Sequence, residues 1–352
     1  MKLGTLVLAP VASAHTLFTT LFINGKNQGD GTCVRMPSDH VTANGPIYPI
    51  TGDDMACGRD GGNPVAFTCP VPQGATLTLQ MREWTDGSRE GFIAPEHKGP
   101  CSVYVKKVDD MGANNAAGPG WVKIWESGYD ASSGEWCVDK LIKRKGFLSV
   151  RLPPTLPAGY YLVRPEILAL HNAVKGDPQF YLGCAQIFVQ RGPSGPLRVP
   201  AEFSVSIPGH VSPDTPGPTF NIYDKSQREY PIPGPKVYVP EGEPSPSCDK
   251  KQTQGLIPDS CVVKNANWCA KPLAGFTTKE GCWESVKDCW SQSKACWNSS
   301  PPSGGVNCQA WEDYCKGLEQ QCGSGNDVSG PVEFEAKNTM KDLPAEALEP
   351  LN

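Results

Sequence analysis

A small set of nitrogen- and oxygen-bearing side chains could together form a metal site. His15 follows the tripeptide Ala12-Ser13-Ala14, a small-residue pattern of the kind at which secretory signal peptides are cleaved. After cleavage His15 would be the N-terminal residue and would offer two nitrogen donors, its α-amine and its imidazole. Such a chelating pair suits a divalent copper ion. The alternative is that His15 is simply the first residue of a strand.

Four further residues could share the environment of His15: His97, His171, Gln179 and Tyr181. His97 lies in a loop just before a predicted strand, and His171 lies at the end of another. Gln179 and Tyr181 are two residues apart, so they share one face of a strand. Taken singly, a loop histidine is more often solvated and a buried tyrosine is more often part of a core. The set as a whole favours a functional site.

The elements that must position these residues are β-strands, because apolar residues alternate with polar ones in several segments. The alternation is clearest at 76–82, 148–152 and 185–190. Pro/Gly-rich turns and long irregular stretches such as 191–233 separate the runs. The pattern predicts a mainly β fold for residues 15–239, an immunoglobulin-like antiparallel β-sandwich with long loops.

The start of the chain and its charge indicate the compartment and the kind of partner. Residues 1–14 combine one lysine, an apolar run and a small-residue ending, which predicts a signal peptide. No later segment approaches the run of roughly 18 apolar residues that a membrane span needs. We therefore expect a secreted, extracellular protein, and a monomer, without membrane contact. The formal charge of −5 argues against nucleic acid as a partner.

The fifteen cysteines divide the chain into two parts. Six precede residue 240 and nine follow it, with a Pro/Glu/Ser-rich stretch at 239–247 between them. Exported chains meet oxidising conditions, so the cysteines predict disulfides rather than a zinc site. The odd number leaves at least one thiol without a partner in this chain. We place a linker and Cys-containing connector at 240–275.

The second part changes from a period of two residues to a period of seven. Two sets of three cysteines repeat at this spacing: Cys282, Cys289 and Cys296, then Cys308, Cys315 and Cys322. Heptad spacing places each set on one face of a helix, and Pro-Pro-Ser-Gly-Gly at 301–305 forms the turn between the helices. We predict a small disulfide-stapled α-helical hairpin at 276–325, opened by a capping box of Thr277 and Glu280.

An antiparallel hairpin brings the six cysteines to the same level in pairs: Cys282 with Cys322, Cys289 with Cys315, and Cys296 with Cys308. Spacing alone does not determine connectivity, so other pairings stay open. The odd thiol is then one of Cys248, Cys261 and Cys269.

Three tryptophans form a row beside the cysteines of the first helix: Trp283, Trp290 and Trp297. This row either packs against the connector or forms an exposed strip for carbohydrate. Asn298 begins the sequon Asn298-Ser299-Ser300 and is the predicted glycosylation site, in the expected hairpin loop. The acidic stretch 326–352 predicts a disordered tail.

Short motifs occur in order along residues 15–239: His15-Thr16-Leu17-Phe18, Met55-Ala56-Cys57-Gly58, His97-Lys98-Gly99-Pro100, Pro157-Ala158-Gly159-Tyr160, Gln179-Phe180-Tyr181 and Asn221-Ile222-Tyr223. Their types and order resemble the fungal lytic polysaccharide monooxygenases of auxiliary activity family 9, formerly glycoside hydrolase family 61. The Cys-rich C-terminal extension lies outside this resemblance and is an unusual feature for a chain of this kind.

The resemblance implies one copper ion per chain, held by the α-amine and ring of His15 and by the ring of His97. It implies that Tyr181 lies at an axial position of that ion. His171 and Gln179 would then position or protonate the oxidant.

Two further features follow from the same resemblance. A disulfide between Cys57 and Cys184 matches one that is characteristic of the family, and it would pin the strand that carries Tyr181. Arg164 and Glu166 are expected to support the polar network around the copper ligands. Whether the His15 ring is methylated depends on the producing host.

The reaction that the resemblance implies is oxidative cleavage of cellulose or another β-1,4-glucan at carbon 1, carbon 4 or both. It uses dioxygen or hydrogen peroxide and an external electron donor, such as a small phenol, ascorbate or a redox enzyme. Hydrolysis would need a facing pair of carboxylates, and the sequence offers no such pair. The alternative function is a secreted copper-binding or cell-wall carbohydrate-binding protein without turnover.

The sequence departs from the family pattern at one position of the expected substrate face. Many members carry a tyrosine two residues after the Pro-Gly that matches Pro208-Gly209, and this chain has Val211. Loss of an aromatic platform predicts weaker binding to crystalline cellulose or a different target. The C-terminal part also differs from the compact cellulose-binding modules that such enzymes often carry.

Overall fold

The computed structural model describes residues 15–224, 226, 229–240, 248–324, 328–335 and 340–351. The predicted signal peptide and most of the predicted 239–247 linker lie outside the described residues. The strands are β1 (Leu17–Ile23), β2 (Lys26–Asp30), β3 (Val34–Arg35), β4 (Cys69–Val71), β5 (Thr76–Arg82), β6 (Cys101–Val108), β7 (Gly118–Ser127), β8 (Tyr129–Asp130), β9 (Glu135–Trp136), β10 (Phe147–Arg151), β11 (Gly159–Ala169), β12 (Gln179–Leu182), β13 (Cys184–Val189), β14 (Arg191–Gly192), β15 (Ser204–Ile207), β16 (Cys248–Asp249), β17 (Lys264–Asn265) and β18 (Trp268–Cys269). The α-helices are α1 (Asp54–Cys57), α2 (Cys137–Lys143), α3 (Lys279–Ser299) and α4 (Val306–Gly323).

Two sheets form the predicted β-sandwich. The smaller sheet has the order β10-β5-β1-β2, and the larger has the order β15-β7-β6-β11-β13-β3. In the larger sheet β12 also pairs with β11, and β4 pairs with β13 in the one parallel pairing among the described strands. The three runs with period-two alternation became β5, β10 and β13. The mainly β fold class is therefore confirmed.

β11 has both faces covered, and this arrangement divides the residues around it. All eleven of its residues are buried. Tyr161, Val163 and Ile167 face the core between the two sheets. Tyr160 and Leu162 face a second core, which lies between the larger sheet and the long loops. Because side chains alternate along a strand, consecutive residues of β11 belong to different cores.

Three disulfides join loops to the sandwich: Cys33–Cys69, Cys57–Cys184 and Cys101–Cys137. The second one ties α1 to the first residue of β13. β13 directly follows β12, so this disulfide lies next to the strand that carries Tyr181. Crosslinks of this kind stabilise a fold mainly by restricting the unfolded chain.

The helical hairpin is confirmed, with its three disulfides in the predicted register. Cys282–Cys322, Cys289–Cys315 and Cys296–Cys308 link α3 to α4, and all six cysteines are fully buried. The predicted capping box of Thr277 and Glu280 is replaced by a single side-chain cap one residue later, because Gly281 has no side chain that could return a second hydrogen bond. Thr278 is the N-cap, and its hydroxyl oxygen accepts a hydrogen bond from the Gly281 amide. Cys261 pairs with Cys269, so the free thiol among the described cysteines is the exposed Cys248.

The connector packs against the sandwich instead of running free. Thr32 Oγ1 donates to the carbonyl of Ala266, and the Cys33 amide donates to Asn267 Oδ1. The amide of Met111 donates to Gln254 Oε1. These contacts satisfy backbone groups on both sides, which fixes the connector to the sandwich.

The tail also differs from the disordered segment that its acidic composition predicts. In the described part of the tail, Lys26 pairs with Asp342, Ser149 Oγ donates to the Ala347 carbonyl, and Leu351 is buried in the core between the sheets. Composition misses this because a few apolar and capping contacts can anchor an otherwise polar segment. Among the described helices, none combines the length and the apolar composition that a membrane span requires.

Candidate metal centre

His15 lies two residues before the start of β1, an inner strand of the smaller sheet. The next residue anchors it, because the Thr16 amide donates to the Asn44 carbonyl over 3.1 Å. Arg59 holds the same loop, since its guanidinium donates to the carbonyls of Thr42 and Pro46. A loop pinned at several carbonyls gives His15 a fixed support.

His97 is brought beside His171 by the pairing of the loop before β6 with the end of β11. The Leu170 amide donates to the Lys98 carbonyl over 2.9 Å. Gly99 permits this close approach, because a Cβ there would lie 1.8 Å from the Leu168 carbonyl oxygen. Close packing against β11 therefore explains why the His97-Lys98-Gly99-Pro100 motif has glycine at its third position.

Three rings from separate elements converge at one corner of the sandwich. The ring centroids of His15 and His97 are 6.5 Å apart, with planes at 81°. The Tyr181 ring lies 6.0 Å from His15 and 5.9 Å from His97. His171 stacks closer to His97, at 4.1 Å. The structure thus brings together four of the residues predicted for the site, and the fifth, Gln179, touches Tyr181.

The histidine rings at this corner are held in their neutral form. Burial, with the charges of His171 and His15 adding to it, lowers the pKa of His97 to about 4. Burial and the nearby Arg59 charge lower the pKa of His15. The pKa of His171 is also lowered, by burial above all. A neutral imidazole keeps a lone pair, and this is the form that binds metals.

The donors at this corner fit a copper ion. Nδ1 of His97 is buried and has no hydrogen-bond partner among the described residues, and an orphaned nitrogen of this kind requires an explanation. Within the described ranges, no three His, Cys, Asp or Glu side chains are grouped to hold a metal. A site here needs a donor of another kind. The α-amine of His15 would supply it once residues 1–14 are removed, and nitrogen-rich sets suit copper.

A chain of hydrogen bonds leads outward from Tyr181. Its hydroxyl donates to Gln179 Oε1 over 2.8 Å, and Gln179 Nε2 donates to Asp177 over 3.0 Å. The Tyr48 hydroxyl donates to the other oxygen of the same carboxylate. Burial raises the pKa of Tyr181 well above its ordinary value, so the phenol stays protonated. Asp177 and Tyr48 were not predicted from the sequence, although Asp177 lies just two residues before Gln179.

Arg164 and Glu166 do not support this network. They form an ion pair of 2.6 Å on the other face of the larger sheet, where Glu166 also accepts a hydrogen bond from His210 Nε2 over 3.1 Å. The register explains the separation. Ile167 is paired with Tyr181, so Arg164 and Glu166, which are odd numbers of residues from Ile167, point the opposite way. That register belongs to the assembled sheet, so the sequence alone did not exclude Arg164 and Glu166 from the network.

The expected loss of an aromatic binding surface at Val211 is wrong, because this position does not lie on the exposed face of the protein. It is 4% exposed and packs in the core under the long loops. Tyr48 and Tyr223 instead carry exposed rings next to the site, with 48% and 62% of their surface accessible. The Tyr223 hydroxyl donates to the His171 carbonyl. Aromatic surface beside the histidines therefore comes from other loops than the one expected.

The family model of auxiliary activity family 9, formerly glycoside hydrolase family 61, matches residues 15–230. This range begins at His15 and contains every residue of the corner just described. The chain belongs to auxiliary activity family 9.

Relatives within auxiliary activity family 9 extend the similarity into the C-terminal hairpin. The AA9 family lytic polysaccharide monooxygenase C of Aspergillus tamarii is 48% identical over 93% of this chain and 89% of its own length. The AA9 family lytic polysaccharide monooxygenase H of Botryotinia fuckeliana is 42% identical over 94% of this chain and 78% of its own length. By its family, the protein is a polysaccharide monooxygenase, an oxidoreductase.

Solved structures of the family match about two thirds of this chain. The structure named CvAA9A has a TM-score of 0.56 at 33% identity, and the match covers 64% of this chain and 98% of that one. A cellulose-active polysaccharide monooxygenase from M. thermophila has a TM-score of 0.52 at 30% identity, over 64% of this chain and 99% of that one. Both matches cover nearly all of the solved chain and leave about a third of this chain unmatched.

The tryptophan row of the hairpin is partly exposed. Trp290 packs against the hairpin core, whereas Trp283 and Trp297 are each 41% exposed. The three tryptophans are therefore neither all packed nor all exposed, so neither of the two predicted arrangements describes the whole row. Asn298 is exposed, but it lies in the last turn of α3 and not in the loop.

Proposed function

We propose that this protein is a secreted, copper-dependent monooxygenase that cleaves cellulose or a related β-1,4-glucan oxidatively. One copper ion would be held by the α-amine and ring of His15 and by the ring of His97, and Tyr181 would complete the set of donors around it. The observation that carries the proposal is the buried, unpartnered Nδ1 of His97 next to two further rings from separate elements. A bound copper ion supplies one-electron redox chemistry with the oxidant.

The side chains around the ligands have separate tasks in this proposal. Gln179 Oε1 accepts a hydrogen bond from the Tyr181 hydroxyl, and Gln179 Nε2 donates one to Asp177. Both the oxygen and the nitrogen of the Gln179 amide are therefore held in place. An amide fixed in this way can hold an oxidant by a hydrogen bond. The centroid of the His171 ring lies 4.1 Å from that of the His97 ring, so an oxidant next to His97 would lie close to a second imidazole, a group that can accept or donate a proton.

The substrate would lie across the exposed rings beside the corner. Tyr48 and Tyr223 offer flat apolar surface, and pyranose rings stack on such faces. Dioxygen or hydrogen peroxide would be the oxidant, with electrons from an external donor such as a small phenol, ascorbate or a redox enzyme. One oxygen atom of the oxidant would be inserted into the C–H bond at carbon 1 or carbon 4 of a glucose unit, and the other would leave as water. The hydroxylated carbon would then expel the neighbouring glycosidic oxygen, which breaks the glycosidic bond.

The proposal is tested with the mature protein and a matched variant that retains Ala14 before His15. Each is loaded with copper, incubated with cellulose, xyloglucan or glucomannan and ascorbate, and the soluble products are identified by mass spectrometry. We expect aldonic acids or 4-keto oligosaccharides from the mature protein. The extended variant should bind copper at least about 100-fold more weakly, since it lacks the α-amine donor.

Two outcomes contradict the proposal in different ways. If the mature protein binds copper tightly but releases no oxidised product from any of the three glucans, the alternative of copper binding without turnover replaces it. If the extended variant binds copper as tightly as the mature protein, the α-amine is not a ligand. Thermal unfolding of both copper-free proteins shows whether the extra residue disturbs the fold.

A further inference from the structure

A groove lies where the helical hairpin meets the sandwich, next to the metal centre. We call it the junction groove; its volume is about 670 Å³ and its main lining residues are His40, Asn44, Trp84, Arg89, Trp297 and Pro302. Three segments form its walls: the loop around 40–44, the loop at 83–89, and the end of α3 with the turn that follows. Only the last belongs to the C-terminal part of the chain.

The junction groove shares a wall with the metal centre. The Asn44 carbonyl accepts the hydrogen bond from the Thr16 amide that anchors His15, and the Asn44 side chain donates to the Glu83 carbonyl over 3.0 Å. Trp84 follows directly on Glu83. One residue, Asn44, therefore joins the support of His15 to both sandwich loops of the groove.

The hairpin is fixed at the groove by direct contacts. His40 Nε2 lies 3.0 Å from the Ser300 carbonyl. The Trp297 indole donates to Glu312 on α4 over 2.8 Å, and its ring packs on Gly305, where a Cβ would lie 2.5 Å from a ring carbon. These contacts set the orientation of the Trp297 ring before any ligand arrives, and a pre-set ring costs little entropy on binding.

The chemistry of the lining fits a neutral carbohydrate. Trp84 and Trp297 supply aromatic surface, and such surface stacks on the C–H faces of pyranose rings. The Arg89 guanidinium lies 4.7 Å over the Trp84 ring, and Asp86 and Ser88 border the same groove. Charges of both signs and hydroxyl groups around aromatic rings offer hydrogen bonds to sugar hydroxyls without selecting a strongly charged ligand.

We infer that the junction groove binds a segment of the polysaccharide chain whose other segment lies over the metal centre, so that the C-terminal hairpin extends the substrate-binding surface. The inference rests on the proposed function for the identity of the polysaccharide. It assigns a task to Trp297, which has 41% of its surface exposed at the edge of the groove.

The chain contains a matched control for Trp297. Trp283 lies on the same helix and is also 41% exposed, but it is absent from the groove lining. It is fourteen residues, about 21 Å, away along α3. Substitution of either tryptophan removes the same exposed aromatic group from the same helix. A general effect of hairpin hydrophobicity would change both variants alike, whereas a subsite at the groove would change only one.

The test measures binding of the copper-free protein to cellohexaose by calorimetry and to cellulose by depletion from solution. We expect W297A to bind about 3- to 10-fold more weakly than the wild type, the loss of one stacking contact, and W283A to bind like the wild type. R89A removes an exposed side chain of the groove that has no role in the core, and it should weaken binding as well. Unfolding temperatures show whether the variants remain folded.

The outcomes separate this inference from the proposed function. Equal binding by wild type, W297A and R89A overturns the inference, as does an equal loss in W297A and W283A, whatever products the wild type releases. If the wild type releases no oxidised product but W297A still binds more weakly than W283A, the proposed function fails and the groove remains a sugar subsite. Absence of binding by the wild type to both ligands also overturns the inference.

Discussion

Two polar clusters lie on opposite faces of the larger sheet and are built from similar residue types. The metal corner contains His15, His97, His171, Gln179 and Tyr181. The buried ion cluster contains Tyr104, Lys123, Arg164, Glu166 and His210. Each includes histidine and tyrosine, and β11 contributes to the buried cluster while its neighbour β12 contributes to the metal corner.

The clusters differ in charge and in exposure. At the metal corner His15 and His171 are half-exposed and the three imidazoles are held neutral, with Nδ1 of His97 unpartnered. In the buried ion cluster, Arg164 and Glu166 are charged and paired with each other at full burial. Unpartnered polar atoms occur in both clusters, since the Tyr104 hydroxyl and His210 Nδ1 also lack a partner among the described residues. What separates the clusters is that neutral imidazoles at a half-exposed site suit ligand binding, whereas compensated charge in an interior supports the fold.

The largest expected effect on stability comes from breaking the buried ion pair. Glu166→Gln leaves the Arg164 guanidinium, which is fully buried, without its counter-charge, so we expect the free energy of unfolding to fall by about 3–5 kcal/mol. Urea denaturation measures this. As a control, Asp249→Asn removes an exposed ion pair with Arg191 and should leave the unfolding midpoint unchanged. A loss below about 1 kcal/mol in Glu166→Gln would mean that the cluster is not structural.

At the metal corner, substitution of a proposed ligand should lower the affinity for copper. His97→Ala removes a proposed ligand, and we expect affinity for copper to fall more than about 100-fold. Its partner variant, His171→Ala, removes a ring that lies 4.1 Å away but is not a proposed ligand, and its affinity should fall by no more than about 10-fold. Titration calorimetry with copper distinguishes the two. Similar affinities in both variants would remove His97 from the ligand set.

A smaller effect is expected from the Tyr181 hydroxyl. Tyr181→Phe leaves Gln179 Oε1 without its donor, so stability should fall by about 1–2 kcal/mol, and the spectrum of the bound copper should change. Tyr161→Phe is the matched control, because its hydroxyl donates to the Pro157 carbonyl within the sandwich core. If both variants leave the copper spectrum unchanged, Tyr181 is not near the ion.

The smallest effect concerns the pH dependence of stability of the copper-free protein. Burial lowers the pKa of His210 from 6.5, with Arg164 and Lys123 adding to burial and Glu166 opposing it. Burial alone would raise the pKa of Glu166, but the Arg164 charge and the His210 hydrogen bond hold it well below its usual range. The unfolded chain therefore binds more protons than the folded protein below pH 6.5, and stability falls as pH falls.

His210→Gln isolates this contribution. It removes one titrating group, so the slope of stability against pH between 6.5 and 5 should decrease by at most about 1.4 kcal/mol per pH unit. Urea denaturation at several pH values measures the slope. An unchanged slope would mean that His210 is protonated alike in both states, and the neutral assignment would be wrong.

The hairpin was largely predictable from the sequence. For the metal corner, the sequence predicted which residues take part but not how they contact one another. Cys282 and Cys289 are one heptad apart, so a helix alone fixes their common face, and the short turn at 301–305 fixes the register of the pairs. Asp177 and Tyr48, by contrast, meet across 129 residues of chain. Their contact depends on how two loops pack, and no local period encodes it.

The sequence by itself determined which segments form the alternating strands and the heptad helices, and which histidines belong to the metal corner. These follow from periods of two and seven residues and from family motifs, all of which are local. Only the tertiary structure decided that Arg164 and Glu166 face away from Tyr181, that the tail packs on the sandwich, and that Trp297 borders a groove beside His15. Such placements depend on sheet register and on contacts between distant segments, because burial is a property of the assembled chain and not of any one segment.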